Sequence, residues 1–125
     1  MTRRILEERR THPAIREKIA IYRMAIVDEV EAALAKHDVV VVGMAQNPFP
    51  RRARKLLDQR RIVHHYLEYG SYLSQWRERM PLKLWTGWPT FPMIFVKGQF
   101  IGGFEDLQRL QSNGELTRLI AAPRQ

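Results

Sequence analysis

The stretch that decides the fold reads Trp88-Pro89-Thr90-Phe91-Pro92, Met93–Val96, Lys97-Gly98-Gln99, Phe100-Ile101 and Gly102-Gly103-Phe104-Glu105-Asp106. Its prolines fix a tight corner in extended backbone. The short apolar runs on either side of Lys97-Gly98 predict a hairpin. The double glycine permits close backbone approach, and a helix is expected to begin directly after it, with its first N–H groups facing outward. Corner, hairpin and helix start together predict a small anion-binding ledge.

The corner and the double glycine carry a resemblance to a known family. Trp88-Pro89-Thr90-Phe91-Pro92 followed by Ile101-Gly102-Gly103 resembles the second half of a glutaredoxin, and is most similar to the monothiol branch. The resemblance implies an α/β, thioredoxin-like fold of glutaredoxin type. This fold is a three-layer sandwich with a small mixed four-stranded sheet flanked by helices, here with an extra N-terminal helix. It also implies that the Phe91–Pro92 peptide bond is cis.

Apolar periodicity places the remaining elements along the chain. Strands are predicted over Val39–Val42, buried on both faces, and over Ile62–Leu67. Helices are predicted from Pro13 through Leu34, from Asn47 through Leu57, over Tyr72–Met80, and on both sides of Asn113-Gly114. The expected organisation is a basic, partly helical N-terminal extension over residues 1–26 and a glutaredoxin-like domain over residues 27–121.

The chain of 125 residues contains no cysteine, which excludes disulfides, thiolate nucleophiles, thiolate metal sites and ordinary iron–sulfur ligation. Glutaredoxins present their reactive cysteine at a helix N-terminus after the first strand. In the matching segment, Asn47 stands at the place of the nucleophilic cysteine and Pro50 at the place of the second. Asparagine is a favoured helix cap, but its amide cannot attack a disulfide. We therefore expect no catalytic residue and no thiol–disulfide oxidoreductase activity.

The resemblance also implies a glutathione site that needs no thiol. In the family, backbone beside the cis-proline pairs with the tripeptide, and the helix after the double glycine takes its γ-glutamyl carboxylate. Basic residues of the monothiol branch lie near its glycine carboxylate. The residues expected here to contact glutathione are Arg79, Lys83, Thr90, Phe91, Pro92, Gly103, Phe104 and Glu105. Two positions depart from the family pattern, since Met44 replaces a lysine and Glu105 replaces an aspartate.

The net charge of +8 favours an acidic partner. Basic residues crowd the segment after Asn47, namely Arg51, Arg52, Arg54, Lys55, Arg60 and Arg61. No nucleic-acid motif or aromatic stacking platform accompanies them, so a solvated face or a docking surface for an acidic protein is favoured over nucleic acid. His64 and His65 are expected to point to opposite faces of a strand, and we predict no metal site.

The leading hypothesis is therefore a non-catalytic protein of redox-homeostasis ancestry, a pseudoenzyme that binds glutathione or an extended peptide. Two alternatives remain open. One is a transferase-like enzyme that uses the thiol of bound glutathione, with Asn47 beside the sulfur. The other is a basic module that binds acidic protein or nucleic acid. The chain has no apolar run long enough to span a bilayer and no secretory signal pattern, which predicts a cytoplasmic protein.

Overall fold

The structure, a computed structural model, describes residues 6–71 and 76–124, and within them all side chains except those of residues 19–24 and 76–78. A short 3-10 helix precedes nine elements: α1 Pro13–Lys36, β1 Val39–Gly43, α2 Pro48–Gln59, β2 His65–Glu68, α3 Trp76–Thr86, β3 Met93–Val96, β4 Gln99–Gly102, α4 Phe104–Ser112 and α5 Glu115–Ala121. The strand order is β2-β1-β3-β4. β1 pairs parallel with β2 and antiparallel with β3, and β3 and β4 form an antiparallel hairpin. The predicted mixed four-stranded sheet with an N-terminal helix is confirmed.

The continuous valine run of β1 divides the core into two layers. Because successive strand residues point to opposite faces, Val40 and Val42 pack with α1 and α3, through residues such as Val30 and Leu82. Val39 and Val41 pack on the other face with Ala53 and Leu57 of α2, Leu107 of α4 and Leu116 of α5. The sheet therefore lies between two helical layers, and α2 and α4 share one of them.

The predicted hairpin turns at Lys97 and Gly98, which have φ angles of +53° and +81°. Two consecutive residues with positive φ are typical of the type I′ turn that matches strand twist. At the far end of β4, Gly102 has a φ of +107°. A Cβ atom there would collide with the carboxylate of Asp106. Gly102 is therefore required where the sheet gives way to α4.

The second predicted strand begins later than expected. Ile62–Leu67 was the expected range, whereas β2 runs His65–Glu68 and its pairing with β1 begins at His65 opposite Val40. The physical reason is that the Ile62 N–H bonds back to the Leu57 carbonyl at 2.8 Å and closes the end of α2. Val63 is then left 89% exposed. The β-branched residues before His65 serve the turn and do not extend the strand.

The predicted helix over Tyr72–Met80 is also corrected. Residues 72–75 lie outside the described residues, and α3 runs Trp76–Thr86 straight through Pro81. An internal proline removes one helical hydrogen bond, but Pro81 is buried and the following Leu82 is only 1% exposed. Tertiary burial on α1 and the sheet therefore overrides the local preference to end the helix.

The predicted boundary between residues 26 and 27 falls within α1, which is one helix of 24 residues. Ile26 and Val30, on either side of that boundary, both belong to the core under the sheet. Residues 1–5 of the predicted extension lie outside the described residues, and the division into two parts stays a prediction. Among residues 6–71 and 76–124, no helix is both long and apolar enough to cross a membrane.

Candidate functional site

A groove of about 380 Å³ lies where the N-termini of α2 and α4 meet the corner before β3. We call it the corner groove. The residues that line it come from these three segments: Asn47, Pro48, Phe49, Trp88, Thr90, Phe91, Pro92, Gly103, Phe104, Glu105 and Asp106. These segments are distant in sequence, and α2 and α4 are held together because they share one helical layer on the sheet.

The N-terminus of α2 is closed by its own residues. The Oδ1 atom of Asn47 accepts a hydrogen bond from the Phe49 N–H at 3.0 Å, which confirms Asn47 as the helix cap. Pro48 and Pro50 have no N–H. In addition, the Nδ2 atom of Asn47 donates to the Phe91 carbonyl at 3.2 Å, across 44 residues of sequence. The first turn of α2 therefore offers an anion almost no donors.

The N-terminus of α4 is arranged differently. The Gly103 N–H donates to the Asp106 carboxylate at 2.9 Å. The first intrahelical hydrogen bond runs from the Leu107 N–H to the Gly103 carbonyl at 3.0 Å. The N–H groups of Phe104 and Glu105 precede that bond, so they have no intrahelical partner. Both residues line the corner groove, and these N–H groups lie at the positive end of the α4 dipole.

The corner itself joins the two helix starts. The Phe91–Pro92 peptide bond is cis, as predicted. The Phe91 side chain is 5% exposed and belongs to the core, while its backbone carbonyl receives the Asn47 amide. Trp88 packs edge-on against Phe100 of β4, with ring centroids 5.5 Å apart. These contacts hold the corner against the sheet, and residues of the corner also line the groove.

Comparison with known proteins identifies this architecture. The glutaredoxin family model matches residues 39–101. A glutaredoxin-like protein of Dictyostelium discoideum is 42% identical over 95 residues, which are 76% of this chain and 77% of that protein. The chain belongs to the glutaredoxin family. It is also similar to monothiol glutaredoxin-4 of Schizosaccharomyces pombe, at 32% identity over 67% of this chain and 35% of that protein.

Solved structures of glutaredoxins share the fold. A buckwheat glutaredoxin–glutathione complex superposes with a TM-score of 0.69 at 19% identity, over 80% of this chain and 91% of that one. Reduced glutaredoxin C1 of Populus tremula x tremuloides gives a TM-score of 0.72 at 24% identity, over 82% of this chain and 87% of that one. The thioredoxin-like fold expected from the corner and the double glycine is thereby confirmed.

Within this glutaredoxin fold, the structure brings most of the predicted glutathione contacts together. All those from Thr90 onward line the corner groove. Arg79 and Lys83 do not line it. Arg79 is 6% exposed and donates to the Tyr69 carbonyl at 3.0 Å, and the Lys83 ammonium lies 5.9 Å from the Phe91 ring centroid. Their contacts with glutathione stay predictions.

Five groove residues were not among the predicted glutathione contacts: Asn47, which was predicted as a helix cap, and Pro48, Phe49, Trp88 and Asp106. A carboxylate three residues after a helix cap is a recognised capping pattern, so Asp106 carried a sequence signal. Phe49 and Trp88 belong to motifs seen in the sequence, but only the tertiary fold shows which face of an aromatic residue is left to the groove. Met44, at the position where the family pattern has a lysine, is 6% exposed and packs in the core.

The basic side chains of α2 are exposed, but two of them already have aromatic contacts. The Arg52 guanidinium lies 5.1 Å from the Phe49 ring centroid and that of Arg54 lies 4.1 Å from the Tyr66 ring centroid. Burial, with a smaller contribution from its hydrogen bond to Glu68, raises the pKa of Tyr66 to about 12. The phenol therefore remains a donor while Arg54 covers its ring. Binding of an acidic partner by the exposed basic residues of α2 stays a prediction.

The neighbouring residues His64 and His65 have different contacts. His65 stacks on His37 with ring centroids 4.2 Å apart, while the Nδ1 atom of His64 lies 3.0 Å from the Ile62 carbonyl. Across the part of the chain that the structure describes, no group of three or more histidine, aspartate or glutamate side chains is placed to hold a metal ion.

Proposed function

We propose that this glutaredoxin-family protein binds glutathione or a peptide of similar backbone in the corner groove without performing thiol–disulfide exchange. The observation that carries the proposal is the arrangement of Asn47. At the family's cysteine position it supplies an amide that accepts from the Phe49 N–H and donates to the Phe91 carbonyl. A neutral amide held at both ends has no lone pair of sufficient basicity to attack a disulfide. At the position of the family's nucleophile, this chain therefore has a side chain that links α2 to the corner before β3.

The α4 side of the groove supports the binding half of the proposal. The N–H groups of Phe104 and Glu105 lie at a helix N-terminus without intrahelical partners. Such groups are suited to a carboxylate, because donors and helix dipole point at the same place. The buckwheat glutaredoxin of similar fold was solved with glutathione. We infer that the γ-glutamyl carboxylate of glutathione would bind to these two donors.

The two hydrogen bonds of Asn47 also support this proposal over a transferase-like enzyme. That enzyme needs a polar group directed at the sulfur of bound glutathione. One Asn47 donor and its acceptor are already used within the protein, and the side chain bridges α2 to the corner. We therefore favour binding over catalysis. Saturable glutathione turnover that disappears in Asn47→Ala would overturn this choice.

The test is a glutathione titration of the ¹⁵N-labelled chain, followed by amide NMR at low and moderate salt. We expect saturable shifts at Phe91, Gly103 and Glu105, with dissociation in the micromolar to millimolar range. Absence of shifts at about 10 mM glutathione would contradict the proposal, since that concentration exceeds the expected range of dissociation constants.

A matched pair of variants separates the backbone donor from the carboxylate beside it. Glu105→Ala and Glu105→Pro both remove the side-chain charge, but only the proline removes the N–H. The α2 start shows that this chain accommodates proline in a first helical turn, at Pro48 and Pro50. We expect Glu105→Ala to bind glutathione at least as well as the parent, and Glu105→Pro to bind about tenfold more weakly or worse. Equal binding by both variants would remove this N–H from the site.

A further inference from the structure

The mouth of the corner groove carries an aromatic pair that the proposed binding of glutathione does not use. Phe49, from the first turn of α2, and Phe104, from the first residue of α4, have ring centroids 6.2 Å apart and an interplanar angle of 44°. Phe49 is 43% exposed although it is large and apolar. The Arg52 guanidinium lies 5.1 Å from its ring centroid. The pair spans the two helix starts and presents a partly exposed apolar surface beside Asn47.

Part of the groove lining around that surface is apolar as well. Pro48, Trp88 and Pro92 also line the groove. Pro48 and Pro50 contribute no N–H, and the Phe49 N–H is taken by Asn47. A thiolate at this end of α2 would therefore have almost none of the donors that stabilise a negatively charged sulfur at a helix start. The same surface would gain free energy by covering hydrocarbon.

The position of the pair relative to a ligand follows from the site described above. Asn47 stands at the family's nucleophile position, so the sulfur of a glutathione bound on the α4 donors would lie near the first turn of α2. The atoms attached to that sulfur would then lie against Phe49 and Phe104. In free glutathione only a hydrogen atom is attached there, and the aromatic surface would stay wet.

We propose that the corner groove selects glutathione thioethers, in which the sulfur carries an apolar substituent, over free glutathione. This inference rests on the proposed function, since it uses the same α4 donors for the tripeptide. The substituent covers the Phe49–Phe104 surface, and the interaction is binding alone, with no bond made or broken. Glutathione and its thioethers carry the same charges at neutral pH, so the +8 net charge of the chain does not discriminate between them.

The test compares glutathione with S-methyl-, S-butyl- and S-hexylglutathione by calorimetry on the full chain, with amide NMR to map each ligand. We expect affinity to rise along the series and S-hexylglutathione to bind at least about tenfold more tightly than glutathione. Its additional shifts should centre on Phe49 and Phe104. Equal affinities across the series, with glutathione itself binding, would overturn this inference and leave the proposed function intact. No binding by any member would overturn both.

Two variants make the location falsifiable. Phe49→Ala should bring S-hexylglutathione to within about threefold of glutathione, and glutathione itself should lose less affinity because its proposed tripeptide contacts lie at the corner and on α4. Val63→Ala, which truncates an apolar side chain that is 89% exposed, is the matched control and should keep the full preference. Thermal unfolding checks that both variants fold. A preference that survives in Phe49→Ala would place the hydrocarbon elsewhere on the surface and overturn the inference.

Discussion

The two helix starts that face the corner groove differ in what they offer a ligand. At α2, Asn47 caps the helix with its side-chain oxygen, and Pro48 and Pro50 contribute no N–H donors. The side-chain nitrogen of Asn47 donates to the Phe91 carbonyl. At α4, the cap position is Gly103, Asp106 takes one donor from within the protein, and the N–H groups of Phe104 and Glu105 precede the first helical hydrogen bond. The first turn of α2 therefore offers a ligand almost no N–H donors, whereas the first turn of α4 keeps those of Phe104 and Glu105.

This difference teaches how a family site can lose its chemistry and keep its shape. A thiol reaction depends on one side chain and on the donors around it, and a single asparagine with two prolines replaces them all. Carboxylate binding at a helix start depends on backbone groups, which survive any substitution that keeps the helix and its cap. The two halves of the groove are therefore separable by mutation.

The largest expected effect is on the free energy of unfolding, and it tests whether α2 and α4 are equally well anchored in the core. Leu57 of α2 and Leu107 of α4 are both 0% exposed and lie in the same core layer. Leu57→Ala and Leu107→Ala should each lower the free energy of unfolding by about 2–5 kcal/mol, through lost burial and a residual cavity. Urea unfolding measures this. Leu84→Ala, at a side chain 52% exposed, is the control and should cost much less. A small loss for only one of the core pair would mean that the helices differ in more than their first turns.

The next effect probes the tie that closes α2. Asn47→Ala removes both the cap and the bond to the Phe91 carbonyl, and we expect a loss of about 1–2 kcal/mol in the free energy of unfolding. Asn47→Ser keeps an oxygen for the Phe49 N–H but cannot donate as far as Phe91, so its loss should be smaller. Urea unfolding of the two variants separates cap from tie. If the two losses are equal, the bond to Phe91 contributes nothing to stability.

A cysteine can be returned to the closed helix start to measure how much of the family environment remains. In Asn47→Cys the Phe49 N–H is released and the dipole of α2 points at the sulfur, so the thiol pKa should lie below the value of about 8.5 for a free cysteine. The pH dependence of alkylation by iodoacetamide reports it. Ser112→Cys, exposed at the C-terminal end of α4, is the matched control without that environment. Identical pH profiles would show that α2 no longer stabilises a thiolate.

The smallest effect lies at the other end of the sheet and serves as a reference outside the groove. Lys97 and Arg124 hold the pKa of Asp38 below its ordinary value of 3.8, with the Lys97 hydrogen bond as the largest cause. A lowered pKa in the folded state stabilises the fold above pH 3.8, and this contribution is lost as the pH falls through the folded-state pKa.

Asp38→Asn should therefore flatten the acid limb of stability, measured by thermal unfolding between about pH 5 and pH 2. Glutathione binding at neutral pH should not change. Asp28→Asn, at an exposed carboxylate on α1, is the charge-matched control. A parent-like acid limb in Asp38→Asn would remove Lys97 and Arg124 as its cause.

Much of the fold followed from short local patterns. The valine run of β1, the Lys97-Gly98 turn and the helix start after Gly103 were each predictable, because one or two residues with restricted backbone or uniform burial decide them. The start of β2 and the passage of α3 through Pro81 were not. In both cases long-range contacts decide the outcome: the Ile62 N–H closes α2, and burial of Leu82 holds the helix together.

The sequence by itself determined the family's corner, the absence of a thiol and the cap at Asn47, because these are matters of residue type and local backbone. Only the tertiary structure decided what that cap touches. The bond from Asn47 to Phe91 spans 44 residues, and the Phe49–Phe104 pair joins two helices that approach each other because both pack on the same face of the sheet. Arg79 shows the same limit, since its burial against the Tyr69 carbonyl is set by packing of α3. Distances between segments are properties of the folded chain, and no local pattern encodes them.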